Sequence, residues 1–124
     1  MNIEDFRTFC LSLPGVTEKM PFGRAASEYD RNLLVFSVAD KWFCFVNVDA
    51  FDFCTLKCPP GEALRLQAAC EAVRPAYHMN KQHWISLRLD SGLDDRTIRT
   101  FLRSAYDAVI ASLPKRTQQA LLSR

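Results

Sequence analysis

Two neighbouring segments, Leu33–Val38 and Trp42–Val48, are apolar at almost every position and are separated by only a few residues. Their valines and aromatic residues are typical of β-strands, and a short turn at Asp40-Lys41 makes the two strands antiparallel. Because successive side chains of a strand point to opposite faces, both faces of this pair need to be covered. If helices cover one face, a second copy of the chain or another protein partner is expected on the other.

Further segments extend this sheet on both sides. Ala26–Tyr29 leads into the first apolar run and Phe51–Cys58 follows the second, so both are predicted to be strands. Near residue 85 the apolar side chains Ile85, Leu87 and Leu89 alternate with Ser86, Arg88 and Asp90. This alternation predicts a strand with one buried face and one exposed face.

Helices are predicted before, between and after these strands. Asn2–Leu13 begins with a capping residue and carries an acidic residue, Asp5, three positions later. A long loop, "VTEKMPFGRA", follows it. A second helix begins at Pro59-Pro60-Gly61-Glu62 and is closed by Pro75. The last runs from the cap Asp94 to Leu113, and residues 115–124 form a short tail.

The predicted order of elements is therefore α-β-β-β-α-β-β-α in one domain, residues 1–124. This order predicts a two-layer α+β fold, with a five-stranded antiparallel sheet and the helices packed on one face.

The segment Ala76–Trp84 is predicted to be a β-hairpin with a two-residue turn at Asn80-Lys81. In that register His78 faces His83 across the hairpin, and Tyr77 faces Trp84.

An aromatic pair of Tyr77 and Trp84 would lie on the outer side, with Lys81 at the tip and Arg88 below. Aromatic rings flanked by cations are used by proteins to stack on bases and contact phosphates. The alternative is that both rings pack beneath the Met20–Arg24 loop or against a partner chain. The residue pattern leaves both possibilities open.

The charge distribution is compatible with an anionic partner. Residues 1–73 hold seven Lys/Arg and ten Asp/Glu, whereas residues 74–124 hold nine and four, for a total net charge of +2. No apolar run is long enough for a membrane span, and the N-terminal residues do not resemble a signal peptide. Five cysteines without an export signal favour reduced thiols, and hence a cytoplasmic location.

Neither a metal site nor a catalytic cysteine is favoured by the pattern. Cys54 and Cys58 lie about 13 Å apart if the strand between them is regular, which is too far for one zinc ion. Cys58 precedes a predicted helix start and is the one candidate nucleophile, but a buried structural thiol is the expected role. Three arginines on the last helix, Arg96, Arg99 and Arg103, are expected to be a solvated face or a phosphate-binding stripe.

Several short motifs resemble the MmcQ/YjbR family. The matching segments, in chain order, are Pro21-Phe22-Gly23, Leu56-Lys57-Cys58, Tyr77-His78-Met79-Asn80-Lys81, His83-Trp84 and Leu113-Pro114-Lys115. Two positions depart from the family pattern, because Ala76 stands where a glycine is usual and Ala105 where a serine is usual.

The resemblance implies a bacterial double-wing, DNA-binding-like module with a fold similar to CyaY and to type III secretion chaperones. It implies no catalytic residue, metal or cofactor. The predicted function is therefore non-enzymatic nucleic-acid binding through the hairpin, and the alternative is a protein-interaction or chaperone-like module that could form a homodimer. The predicted nucleic-acid-binding residues are Arg24, Lys57, Tyr77, His78, Lys81, His83, Trp84 and Arg88.

Overall fold

A computed structural model of the chain describes residues 1–123 and shows an α+β fold built on a six-stranded antiparallel sheet. The strands are Val16–Lys19 (β1), Leu33–Val38 (β2), Lys41–Asn47 (β3), Phe53–Lys57 (β4), Val73–Pro75 (β5) and Trp84–Arg88 (β6). They lie side by side in the order β1-β2-β3-β4-β6-β5. Strand β5 is therefore at one edge, and β6 pairs with both β4 and β5.

The helices within residues 1–123 are Ile3–Ser12 (α1), Glu28–Arg31 (α2), Ala63–Ala69 (α3), Asp95–Ala111 (α4) and Lys115–Leu122 (α5). The two predicted helix caps are confirmed. The side chain of Asn2 accepts a hydrogen bond from the Asp5 amide in a capping box, and that of Asp94 accepts one from the Thr97 amide. The C-terminal tail, for which a helix was one expectation, contains α5.

The main core lies between the sheet and four of the helices. Its buried side chains include Leu34, Phe36, Val46, Leu56 and Leu87 from the sheet, and Phe6, Ala63, Leu102, Val109 and Leu121 from α1, α3, α4 and α5. Burying this apolar surface is the main favourable term in folding. We call the sheet face turned toward this core the inner face and the opposite one the outer face.

The prediction of five strands is wrong because Val16–Lys19 forms β1 rather than part of a loop. Its register pairs Val16 with Val38 and Lys19 with Val35. The segment is short and polar, and it is half-buried at alternate positions only, so the apolar pattern is too weak to reveal it. An ion pair between Arg7 of α1 and Glu18 of β1, with an N–O distance of 2.6 Å, fixes the strand against the first helix.

The predicted strand at Ala26–Tyr29 is also wrong. Ser27 instead caps α2, and its hydroxyl oxygen accepts a hydrogen bond from the Asp30 amide at 3.3 Å. Tyr29 of α2 packs on the outer face, so the helices are not all gathered on one side of the sheet.

The outer face is covered by the chain itself. Leu33, Val35 and Phe45 form a second buried cluster there, and Phe22, Tyr29, Trp42, Tyr77 and Met79 pack against it. Two segments, residues 20–32 and 76–83, supply most of this cover. A second copy of the chain or a partner was expected to cover this face; the apolar character of both strand faces is instead explained within one chain.

The hairpin prediction is wrong in its register and turn. Helix α3 ends at Ala69 rather than near Pro75, and β5 is part of the segment that was assigned to the helix. Pro75 pairs with Ile85, so residues 76–83 form an eight-residue loop instead of a two-residue turn. Asn80 does initiate a turn in this loop, because its side chain accepts from the Gln82 amide and its carbonyl from the His83 amide.

The predicted faces of the strand after this loop are confirmed. Ile85 and Leu87 join the main core, whereas Trp84 and Ser86 point to the outer face.

Candidate functional site

Four of the eight predicted site residues lie around one pocket on the outer face, near the β5 edge. This pocket of about 490 Å³, here called the outer pocket, is lined by Asp52, Phe53, Arg74, Pro75, Ala76, Tyr77, His78, Lys81, Ser86, Arg88 and Asp90. Tyr77, His78, Lys81 and Arg88 are the residues that the sequence predicted. Arg74 and Ser86 were not predicted.

Strand pairing explains why Arg74, Ser86 and Arg88 meet. Arg74 of β5 lies directly opposite Ser86 of β6, so their side chains emerge on the same face of the sheet. Arg88 follows Ser86 by two residues, which returns it to that same face. The backbone therefore places the side chains of two arginines on the same face of the sheet as the Ser86 hydroxyl group.

Ser86 lies at the base of the pocket and is 5% exposed. Its Oγ is 2.9 Å from Oγ1 of Thr55, a fully buried residue of β4, and it accepts a hydrogen bond from the Tyr77 amide at 3.0 Å. These bonds join β4, β6 and the 76–83 loop at one point. Ser86 consequently has a fixed position in the fold.

Tyr77 forms one wall of the pocket and connects the 76–83 loop to α2. Its ring packs edge-to-face against Tyr29 and Phe53, at centroid distances of 5.7 Å and 5.4 Å. Its hydroxyl group donates to Asp30 Oδ1 at 2.8 Å. Burial raises the pKa of Tyr77, and the hydrogen bond to Asp30 raises it further, so the phenol stays protonated at neutral pH.

The other oxygen of Asp30 lies 3.1 Å from Nε2 of His78. His78 has a backbone φ of +62°, a left-handed conformation that a non-glycine residue adopts only at some cost. That conformation turns its exposed imidazole toward Asp30. Asp30 is thus the common partner of Tyr77 and His78, and it fixes one side of the loop.

A second phenol–carboxylate pair lies below the first. Tyr29 donates its hydroxyl hydrogen to Asp52 Oδ1 at 2.8 Å, and its ring stacks on Phe53 at 5.8 Å. Burial raises the pKa of Tyr29 strongly, and the Asp52 hydrogen bond adds to this effect. The Asp52 carboxylate, which lines the pocket, therefore already accepts a hydrogen bond from within the protein.

The positive charges of the pocket are exposed and only partly neutralised. Arg88 Nε is 3.1 Å from Asp90 Oδ1, and this hydrogen bond lowers the pKa of Asp90. Lys81 donates from Nζ to the Ala76 carbonyl at 2.8 Å, which leaves its other ammonium hydrogens available. Within residues 1–123, the guanidinium of Arg74 makes no hydrogen bond or ion pair.

Trp84 and Lys57, which the sequence also predicted, lie on the outer face next to the pocket but do not line it. Trp84 is 6% exposed and packs against Phe45 at a centroid distance of 6.3 Å. The ammonium of Lys57 lies 5.4 Å from the centre of the indole ring. The indole is therefore covered, and its faces are not free to stack on a base.

The two remaining predicted residues lie away from the pocket. Arg24 is exposed in a turn closed by the hydrogen bond from the Ala25 amide to the Phe22 carbonyl, at 2.9 Å. His83 is half-buried, and its carbonyl accepts from the Cys58 amide at 2.9 Å. Neither residue contributes a side chain to the outer pocket.

The residues considered for other chemistry are dispersed or buried. Within residues 1–123, no three His, Cys, Asp or Glu side chains are grouped in a way that could hold a metal ion. Burial raises the pKa of the Cys58 thiol, which opposes formation of a thiolate. On α4, Arg103 pairs with Asp107 at 3.2 Å on an exposed surface. No helix within the described residues is long and apolar enough to span a bilayer.

Comparison with known proteins identifies the family. The YjbR family model matches residues 11–108. The chain belongs to the YjbR family. It is 31% identical over 117 residues to the uncharacterised protein YbdF of Escherichia coli O157:H7. This alignment covers 94% of this chain and 90% of YbdF. It is 27% identical over 123 residues to the uncharacterised protein YjbR of Escherichia coli K12, covering 98% of both chains.

Solved structures of similar proteins show the same fold as this YjbR-family chain. A Deinococcus radiodurans protein with a DUF419 domain aligns with a TM-score of 0.80 and 25% identity, over 97% of this chain and 87% of that one. A crystal structure of a Pseudomonas syringae protein aligns with a TM-score of 0.65 and 22% identity, over 85% of this chain and 96% of that one. The family resemblance predicted from the short motifs is thereby confirmed.

Arg74 and Ser86 were missed because β5 was missed. Val73 fits the apolar spacing of the preceding helix, so that helix was predicted to continue to Pro75. Arg74 was therefore placed inside the helix rather than on a strand. Recognition of a strand before Pro75 would have placed Arg74 next to the alternating strand that contains Ser86.

Proposed function

We propose that this YjbR-family protein is a non-enzymatic nucleic-acid-binding protein that contacts phosphate groups through the outer pocket and its rim. The observation that carries this proposal is the convergence of Arg74, Lys81 and Arg88 on one pocket at the edge of the sheet. Arginine and lysine side chains supply most protein contacts to nucleic-acid phosphates. Arg24 and Lys57, elsewhere on the protein, are candidates for additional contacts.

The expected contacts are to phosphates rather than to base faces. Trp84 is covered by Phe45 and Lys57, and Tyr77 is enclosed by Tyr29 and Phe53. The Tyr77 ring stabilises the loop that carries Lys81, and the buried Trp84 indole has no free face for a base. Binding through phosphates is strongly salt-dependent and largely independent of sequence.

Fluorescence anisotropy with short single-stranded and double-stranded DNA and RNA tests this proposal. We expect binding at about 50 mM salt that weakens markedly at about 200 mM. The triple variant Arg74→Gln/Lys81→Gln/Arg88→Gln should lose most of the affinity. The slope of log K against log salt should decrease by about 2 to 3 for the three lost phosphate contacts.

A charge-matched control is available on the helical side of the molecule. The variant Arg96→Gln/Arg99→Gln/Arg116→Gln also removes three exposed cations, from α4 and α5. It should retain the wild-type salt slope. If no nucleic acid binds at low salt, or if both triple variants lose affinity equally, the outer pocket is not the binding site.

The alternative function, a protein-interaction or chaperone-like module that could form a homodimer, now has less support. Its motivation was an uncovered apolar sheet face, and residues 20–32 and 76–83 cover that face. Light scattering over a range of protein concentrations separates the two functions. A stable dimer whose formation excludes nucleic acid would favour the alternative.

A further inference from the structure

The hydrogen-bonding capacity of Ser86 determines what its hydroxyl group can do in the outer pocket. Thr55 is fully buried, and Ser86 Oγ is the one partner of its hydroxyl group among residues 1–123. A buried hydroxyl hydrogen needs an acceptor, so Thr55 donates to Ser86. The Tyr77 amide also donates to Ser86.

These two bonds use both acceptor positions of the Ser86 oxygen, because a hydroxyl group accepts two hydrogen bonds and donates one. The remaining function of Ser86 is to donate its own hydrogen. Thr55 and the Tyr77 amide, the two partners of the Ser86 oxygen, belong to the protein, whereas the outer pocket that Ser86 lines is open to a ligand. The pocket base therefore presents a hydrogen-bond donor.

Three of the groups around this donor are cationic donors. Arg74 lies opposite Ser86 across the β5–β6 pair, Arg88 lies two residues further along β6, and Lys81 approaches from the loop. The two carboxylates of the lining already accept hydrogen bonds, Asp52 from Tyr29 and Asp90 from Arg88, and the three cations outnumber them. Donors converging from the base and the sides suit a ligand that has several acceptor oxygens and a negative charge.

We propose that the outer pocket binds a terminal phosphate monoester, with Ser86 donating to one phosphate oxygen and Arg74 and Arg88 to the others. A terminal phosphate offers three unesterified oxygens, whereas a phosphate within a strand offers two and must let the strand leave in both directions. Because Ser86, Arg74 and Arg88 all line the outer pocket, they can contact different oxygens of one terminal group. This inference rests on the proposed function, and it names the end of a strand as the preferred ligand.

Two ligands carry a terminal phosphate monoester and have to be distinguished: the phosphorylated end of a nucleic acid and a free nucleotide. Anisotropy measurements should compare strands of one sequence that carry a phosphate at the 5′ end, at the 3′ end or at neither end. Nucleoside monophosphates and inorganic phosphate should be titrated separately by calorimetry. We expect one of the phosphorylated strands to bind roughly tenfold or more tightly than the unphosphorylated strand.

The decisive variant is Arg74→Gln, because Arg74 is exposed and its side chain makes no hydrogen bond or ion pair within residues 1–123. It should abolish the preference for a terminal phosphate while leaving the thermal unfolding midpoint unchanged. Arg99→Gln, on the exposed surface of α4, is the single-charge control and should retain the preference. Ser86→Ala should also abolish it, and its unfolding midpoint must be measured because Thr55 and Tyr77 lose their acceptor.

The possible outcomes separate this inference from the proposed function. Equal, salt-dependent binding of all three strands that is lost in the Arg74/Lys81/Arg88 triple variant would overturn the terminal-phosphate site and leave the proposed function intact. Binding of nucleoside monophosphates without binding of any strand would support the phosphate site and overturn the nucleic-acid function. If neither strands nor monophosphates bind, both are overturned.

Discussion

Arg74 and Ser86 lie directly opposite each other on the antiparallel strands β5 and β6, with both side chains on the outer face of the sheet. This pairing places a cation that makes no hydrogen bond or ion pair within residues 1–123 beside a hydroxyl group that accepts from the Tyr77 amide and lies 2.9 Å from the Thr55 hydroxyl oxygen. The result is a local cluster of donors in a protein whose total net charge is only +2. Local geometry, and not the overall charge, therefore defines the candidate site.

Removing the carboxylate that pairs with Arg88 should strengthen nucleic-acid binding. In Asp90→Asn, Arg88 loses its ion-pair partner and the pocket rim becomes more positive. We expect the affinity at low salt to rise by roughly twofold or more. Asp107→Asn is a matched control, because it frees Arg103 from a similar exposed pair on α4. An equal gain in both variants would show that total charge matters and the outer pocket does not.

Trp84 should behave as a buried residue in solution. The chain contains two tryptophans, so Trp42→Phe leaves Trp84 as the single indole fluorophore. We expect blue-shifted emission and weak quenching by acrylamide, because Phe45 and Lys57 cover the ring. Adding nucleic acid should change this emission little. Strong acrylamide quenching in the free protein, relieved by nucleic acid, would instead support the base-stacking hairpin that the sequence predicted.

The hydrogen bond between Tyr77 and Asp30 should stabilise the fold. Tyr77→Phe removes the hydroxyl group, leaves the ring in place and deprives a largely buried carboxylate of a donor. We expect the free energy of unfolding at neutral pH to fall by about 1–2 kcal/mol, measured by urea denaturation. Tyr77→Phe should produce no further loss when Asp30 is already changed to Ala, which has no acceptor; a full additional loss in that background would show that the effect does not pass through Asp30.

The raised pKa of Tyr77 should also make the stability of the wild type and of Tyr77→Phe depend differently on pH in alkaline solution. The pKa of Tyr77 is raised in the folded protein, so the unfolded chain loses this proton at a lower pH than the folded one. The stability that Tyr77 contributes is therefore present below about pH 10 and is lost as the pH rises through its folded pKa. Wild-type stability should fall more steeply above pH 10 than that of Tyr77→Phe. Parallel pH profiles for the two proteins would contradict this.

Thiol labelling should distinguish Cys70 from the other four cysteines. Cys10, Cys44, Cys54 and Cys58 are buried, whereas Cys70 is half-buried at the end of α3. At pH 8 the native protein should react rapidly at one thiol, and Cys70→Ser should remove that phase. Because burial raises the pKa of Cys58, its labelling should be slow. Rapid labelling of Cys58 would reopen the possibility of a nucleophilic role.

The parts of the fold that depend on local signals could be predicted from the sequence. The caps at Asn2 and Asp94 satisfy amides within the next few residues, so the chemistry is visible in the sequence itself. The alternation of Ile85 and Leu87 with Ser86 likewise assigns each side chain to the correct face. Strand β1 was missed because its four residues, of which only Val16 is apolar, become a strand only through pairing with β2.

The state of the candidate site residues could not be predicted, because it depends on distant contacts. Alternation places Trp84 on the outer face, but its burial depends on Phe45 and Lys57 from other strands. Tyr77 is fixed by Asp30, which lies 47 residues earlier in the chain. Nothing in the local sequence indicates these partners. The same limitation concealed the pairing of Arg74 with Ser86.

The most direct test of the nucleic-acid interface is a titration of the isotope-labelled protein with a short oligonucleotide, followed by the backbone amide signals in NMR spectra. We expect the largest shift changes in residues 73–78 and 81–88, with small changes at Arg96 and Arg99 on α4. The changes in residues 73–88 should reverse as salt is added. Shift changes concentrated on α4, or no changes at low salt, would contradict the central claim that the outer pocket contacts nucleic acid.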